Sequence, residues 1–195
     1  MSVSLAKGQK VDLTKGKAGL NTVMVGLGWD EAKRKGGLFK KPEPIDCDAS
    51  AVMCQKGGKF KGKEDLVYFG KLRHNSGSVK HQGDNLTGQG DGDDEQIMVN
   101  LKEVPAEYER IVFVVNIYEA VVRNQHFGMI ENAFIRIVDT ASGTELCRYN
   151  LSDGYSGKTA MICGELNRLN GEWEFTAVGE GTNDTSLLTL ANKFA

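Results

Sequence analysis

Residues 110–117 (RIVFVVNI) are apolar at nearly every position, rich in β-branched side chains, and bounded by polar residues. A run this short and this apolar reads as a strand covered on both faces, as in the middle of a sandwich. Most other segments agree with it. Residues 1–8 (MSVSLAKG) and 9–16 (QKVDLTKG) alternate apolar with polar positions and end in Gly. Residues 22–29 (TVMVGLGW) form an apolar run with glycines, which suits a buried strand closely approached by another backbone. Residues 45–53 alternate, with Ile45, Cys47 and Ala49 on one side and Asp46, Asp48 and Ser50 on the other. Short strands are expected at 66–69 and 96–101. Segments 133–138 and 145–149 flank the turn DTASG, and segments 160–169 and 172–178 flank LNG, so both pairs read as hairpins.

Helix signals are few. Val104-Pro105 followed by AEYE reads as one turn opening after Pro. Residues 185–194 (TSLLTLANKF) read as a C-terminal helix with Asp184 or Thr185 as N-cap. With 24 glycines to form the turns, the expectation is a mainly β fold, a β-sandwich with short peripheral helices. The 195 residues fit a single domain, 1–195, large enough to bury its own core. The near-repeat VSLAKGQKVDLTKG does not continue, so a solenoid is excluded.

The net charge of −2 gives no global field toward nucleic acid or membrane, and neither is expected as a partner. The charge is uneven, however. Residues 33–41 (KRKGGLFKK) and 56–63 (KGGKFKGK) are basic, while residues 84–95 hold five carboxylates and no Lys or Arg. The four cysteines form no CxxC pair, and with three His they give no structural zinc pattern. Their apolar flanks suit small buried hydrophobes. The first residues lack the apolar core of a secretory signal, and no run approaches the ~20 apolar residues of a spanning helix. The expectation is a cytoplasmic protein with reduced thiols.

Residues 83–95 (GDNLTGQGDGDDE) carry the chemistry. Glycines at 83, 88, 90 and 92 let the backbone turn sharply and bring carbonyl oxygens inward. Asp84, Asp91, Asp93, Asp94 and Glu95 add anionic oxygens, and Asn85 and Thr87 neutral ones. Calcium takes six to eight such oxygens. Two unit charges about 4 Å apart repel by roughly 4 kcal/mol at an effective dielectric near 20, and a divalent ion relieves that conflict. The spacing does not match an EF-hand. Composition alone leaves a solvated loop as an open alternative.

Other carboxylates are candidates for the same ion. Asp46 and Asp48, two apart on a strand, emerge on one face. Asp30 stands at the end of the glycine-containing strand and Glu119 follows the most apolar one. For each, an ordinary exposed carboxylate is the plain alternative.

VGLGW (25–29), DCDAS (46–50), the acidic loop, IVFVVNIYEA (111–120) and NAFIRIVD (132–139) together resemble the TerD family of bacterial tellurium-resistance and general stress proteins. So do the opening MSVSLAKG and TAMICGELNRLNGEWEF at 159–175. The resemblance implies a β-sandwich with two neighbouring calcium sites, and partners among other stress and tellurite-resistance proteins. The family's DxDAS motif falls on Asp46, Asp48 and Ser50, and its loop motif on Asp84, Asn85, Asp93, Asp94 and Glu95. Gln89 departs from the pattern and removes one charge, which bears on affinity. The basic segment at 33–41 is also unlike the acidic or polar stretch that often precedes DxDAS.

No GxSxG, Walker loop or HExxH occurs, and no catalytic residue is assigned. His81, nearest the acidic loop, reads as an exposed loop histidine, with a supporting role beside a metal as the alternative. The expectation is a calcium-ordered interaction module, not an enzyme. The alternatives are a metal-dependent hydrolase and a thiol-based protein handling metalloids or oxidants.

Overall fold

The computed structural model describes residues 2–16, 19–32, 43–83, 92–151 and 154–195. Asp84, Asn85, Thr87, Gln89, Asp91 and the basic segment at 33–41 lie outside them. The fold is a sandwich of two six-stranded sheets. In chain order the strands are β1 (Val3–Leu5), β2 (Lys10–Asp12), β3 (Thr22–Glu31), β4 (Cys47–Gln55), β5 (Leu66–Val67), β6 (Val79–His81), β7 (Glu95–Asn100), β8 (Tyr108–Ile117), β9 (Ile130–Asp139), β10 (Thr144–Asn150), β11 (Ala160–Leu169) and β12 (Glu172–Thr182). The first sheet runs β1-β10-β9-β3-β7-β6 and the second β2-β12-β11-β8-β4-β5. The two opening strands divide, β1 joining one sheet and β2 the other.

Strand β8 is covered on both faces, as its composition requires. Ile111, Phe113, Val115 and Ile117 enter the core between the sheets. Val112 and Val114 point the other way, into a second cluster closed by Leu190 and Ala191 of the short helix α1 (Leu187–Ala191). Full burial of each large side chain contributes about 1.5–3 kcal/mol. Both expected hairpins form, and Asn170 and Gly171 take the positive φ angles of a two-residue turn between β11 and β12.

Two local readings differ, at the cap of α1 and at β6, while the turn expected after Pro105 is met. Ser186, not Asp184 or Thr185, caps α1, because its Oγ accepts the Thr189 N–H at 3.2 Å. After Pro105 the chain makes a single turn, closed by the Tyr108 N–H on the Pro105 carbonyl at 3.0 Å, and passes directly into β8. Strand β6, with only three residues, carried no periodic signal. Among the described residues no helix is long and apolar enough to cross a membrane.

The glycines of β3 have a specific use. A Cβ at Gly28 would lie 2.5 Å from the Phe134 ring and 2.6 Å from the Gly92 carbonyl. A Cβ at Gly26 would overlap the Asp93 carboxylate. The bare strand therefore seats the end of the acidic loop on its outer face.

A buried polar cluster ties the loop before β6 to β8. The Tyr108 hydroxyl donates to Asp65 at 2.6 Å, and His74 Nε2 lies 3.6 Å from the same carboxylate. His74 Nδ1 accepts the Ser76 N–H at 3.2 Å. Burial holds the His74 pKa below its ordinary value, against the opposing pull of Asp65.

Two outcomes are expected. Gly28→Ala should cost about 1–3 kcal/mol through overpacking, read as a lower urea midpoint; an unchanged midpoint contradicts the close approach. For His74, the unfolded chain binds the proton more readily than the native state. Stability should therefore fall as pH drops below about 6.5, the ordinary histidine value. His74→Gln should flatten that acid slope in equilibrium unfolding, and an equally steep slope would contradict it.

Candidate functional site

The acidic loop is the connection of the β6–β7 hairpin at the edge of the first sheet. Val79 pairs with Val99 and His81 with Ile97, and the Gln82 N–H donates to the Gln96 carbonyl at 2.9 Å. The loop returns against β3. The Asp94 N–H donates to the Leu27 carbonyl at 2.8 Å, and Asp94 Oδ2 accepts the Trp29 N–H at 2.7 Å.

Asp93 lies over Gly26 and is held by a guanidinium fork. Arg136 Nε and Nη2 reach its two oxygens at 2.7 and 2.9 Å, and Gln96 Nε2 adds a contact at 3.2 Å. The Asp93 side chain is wholly shielded from solvent. This hydrogen bond raises the Arg136 pKa. Breaking such a pair would strand a buried charge. Asp93 thus anchors the loop, and its oxygens are already engaged.

Asp94 sits in a different field. Burial raises its pKa, and the nearby charges of Asp30 and Asp93 push the same way, against the Trp29 N–H. Asp30, exposed at the end of β3, accepts from Asn132 Nδ2 at 2.8 Å.

Glu95 crosses to the second sheet. Its Oε2 accepts the Ala49 N–H at 2.5 Å, on the edge of β4 beyond the two-residue partner β5. Ala49 directly follows Asp48, and the paired aspartates flank Cys47. Ile45 and Cys47 enter the core, as alternation requires, and Asp48 turns to the opposite face. Asp48 is 5 % exposed and lies 3.4 Å from Asn116 Nδ2. The Asp46 carbonyl accepts the Tyr118 N–H at 2.8 Å. Burial pushes the Cys47 thiol well above its ordinary pKa, and the charges of Asp48, Asp46, Glu95 and Asp94 all add to the shift. Loop-end and β4 carboxylates thus share one neighbourhood.

Glu119 lies in the turn that follows β8. It adopts a φ of 50° and pairs with Arg123 at 3.3 Å. With Asp48, Ser50 and Asn116 it lines a hollow of about 510 Å³ on the outer face of the second sheet. A larger groove, about 750 Å³, opens beside Asp30 and Gly92 and is walled by Phe134, Arg148 and Tyr155.

The donor set suits a hard cation. Asp30, Asp94, Asp46, Asp48 and Glu95 offer oxygens only, and the raised Asp94 pKa marks a place where positive charge would lower the energy. Among the described residues no group of three or more His, Cys, Asp or Glu is arranged to hold an ion. The loop's remaining oxygens belong to residues 84–91.

Two site features were not read from the sequence. His81 is buried, 4 % exposed, and not an exposed loop residue; its ring nitrogens contact both sides of the loop. Its position two residues before Gly83 was the available signal. Arg136, the partner of Asp93, lay 43 positions from it on another strand. All four cysteines are buried, as expected, and burial pushes Cys54 and Cys163 up to about 12.

Residues 1–194 match the model of the TerD domain. The chain is 54% identical to the stress response protein SCP2 of Bacillus subtilis, over the full length of both. It is 49% identical to general stress protein 16U of the same organism, with 93% of this chain and 91% of that protein covered. It is 46% identical to the tellurium resistance protein TerD of Serratia marcescens, over 93% and 91%. A solved homologue of telluride resistance protein TerD from Streptomyces coelicolor shares the fold, with a TM-score of 0.67, 24% identity, and 91% of this chain and 99% of that one covered. With the motifs carried on a two-sheet sandwich, these likenesses establish that the chain belongs to the TerD domain family of tellurium-resistance and general stress-response proteins.

Proposed function

We propose that this protein is a calcium-ordered interaction module of the stress response. The observation that carries the reading is the Glu95–Ala49 hydrogen bond, 2.5 Å long, which brings the end of the acidic loop onto the aspartate-bearing strand. Asp46, Asp48, Asp94, Glu95 and Asp30 would supply oxygens from the sandwich, and Asp84 and Asn85 from the loop. The family resemblance adds two ions as the expected number. Asp93 serves as the anchor on Arg136, and Glu119, paired with Arg123, is a peripheral member at most.

Bound calcium supplies charge neutralisation and a fixed loop geometry. The loop, once ordered, would border the groove beside Asp30, and that joint surface would meet a partner protein of the same stress system. No catalytic step belongs to this reading. A thiol-based reaction is disfavoured because burial keeps Cys54 and Cys163 protonated far above neutral pH.

Calcium at 100 times its dissociation constant should stabilise the fold by about 2.7 kcal/mol. For a chain of this size that is a rise in Tm of roughly 5–10 °C. A calcium titration followed by calorimetric melting measures it, and no rise at millimolar calcium defeats the proposal. Asp46→Asn combined with Asp48→Asn should remove most of the rise. If that double variant retains the full rise, the site does not include β4.

A further inference from the structure

We infer that His81 is a positioning residue that holds the two ends of the acidic loop in register for the cation. The inference rests on the calcium reading above. His81 closes β6, and its imidazole lies inside the protein, with no solvent exposure of its side chain or of Glu95. Nδ1 accepts the Gly83 N–H at 3.1 Å, where the loop begins. An Nδ1 that accepts a backbone N–H carries no proton, so the ring proton is on Nε2. Nε2 lies 3.3 Å from Glu95 Oε2 and 3.2 Å from the Ala49 carbonyl. One imidazole therefore touches the loop's first residue, its last carboxylate and the strand that carries Asp46 and Asp48.

The consequence for binding is physical. Glu95 Oε2 accepts the Ala49 N–H and faces the single His81 Nε2–H, which is shared with the Ala49 carbonyl, so its carboxylate is oriented from both sides. Holding residues 83 and 95 together also supplies part of the loop-closure entropy before the ion arrives. A neutral imidazole does this without adding a positive charge that would repel the cation. Lysine or arginine in its place would satisfy Glu95 but oppose calcium.

Three substitutions separate the two hydrogen bonds. His81→Asn keeps an acceptor for Gly83, His81→Gln keeps a donor for Glu95, and His81→Ala keeps neither. The intact chain is titrated with calcium by calorimetry, and each variant is also melted in chelator. The expected result is a calcium affinity about 10–100-fold weaker for the Ala variant, with intermediate losses for Asn and Gln. Should the Ala variant fail to fold, the Asn and Gln affinities decide. A wild-type affinity in the folded variants, whatever their melting temperatures in chelator, overturns the positioning role and leaves the calcium reading intact. Absence of binding in the wild type overturns the calcium reading and this inference with it. Nitrogen-15 imidazole shifts give an independent check: a proton on Nδ1 of His81 overturns the assignment.

Discussion

A hydrogen bond from the Ala49 backbone to the Glu95 carboxylate joins the two sheets at an edge where acidic residues of both meet. It exists because β5 is too short to pair with the start of β4, which leaves a backbone donor there for another group. Glu95 supplies the acceptor from the opposite sheet. A buried carboxylate is costly unless its oxygens are satisfied, so this contact and the His81 ring together make the position tenable. The rest of the site follows from that placement. Asp94 is carried against Trp29, Asp93 is turned outward onto Gly26 and Arg136, and Asp46 and Asp48 lie on either side of Cys47.

The consecutive acidic residues Asp93 and Asp94 therefore do not share one role. Asp93 is structural, because a guanidinium fork already occupies both its oxygens. Asp94 remains in a field that raises its pKa. Sequence spacing treats these neighbours alike. Their separation comes from different partners on the neighbouring strands, Arg136 of β9 for Asp93 and the Trp29 N–H of β3 for Asp94.

Much of the architecture was legible from the order of residues. The apolar run of β8, the alternation of β4 and the turn residues of the two hairpins each specify their local geometry, and all were realised. The glycines at 26 and 28 announced a close approach, though not that the acidic loop would make it. What could not be read depends on register between distant strands. Arg136 meets Asp93 only because β9 and β7 flank β3 in the same sheet. His81 is buried only because β6, three residues long, pairs with β7. Its polar surroundings in the sequence pointed to the surface, and tertiary pairing reversed that.

The central claim is that the acidic loop is half a site, completed by the start of β4. Anomalous diffraction from crystals grown with a lanthanide in place of calcium locates the ion directly. The account predicts a peak that shares oxygens from residues 84–91 with at least one of Asp46, Asp48 or Glu95. A peak held by the loop alone, or no ordered ion at this edge of the sandwich, would contradict it.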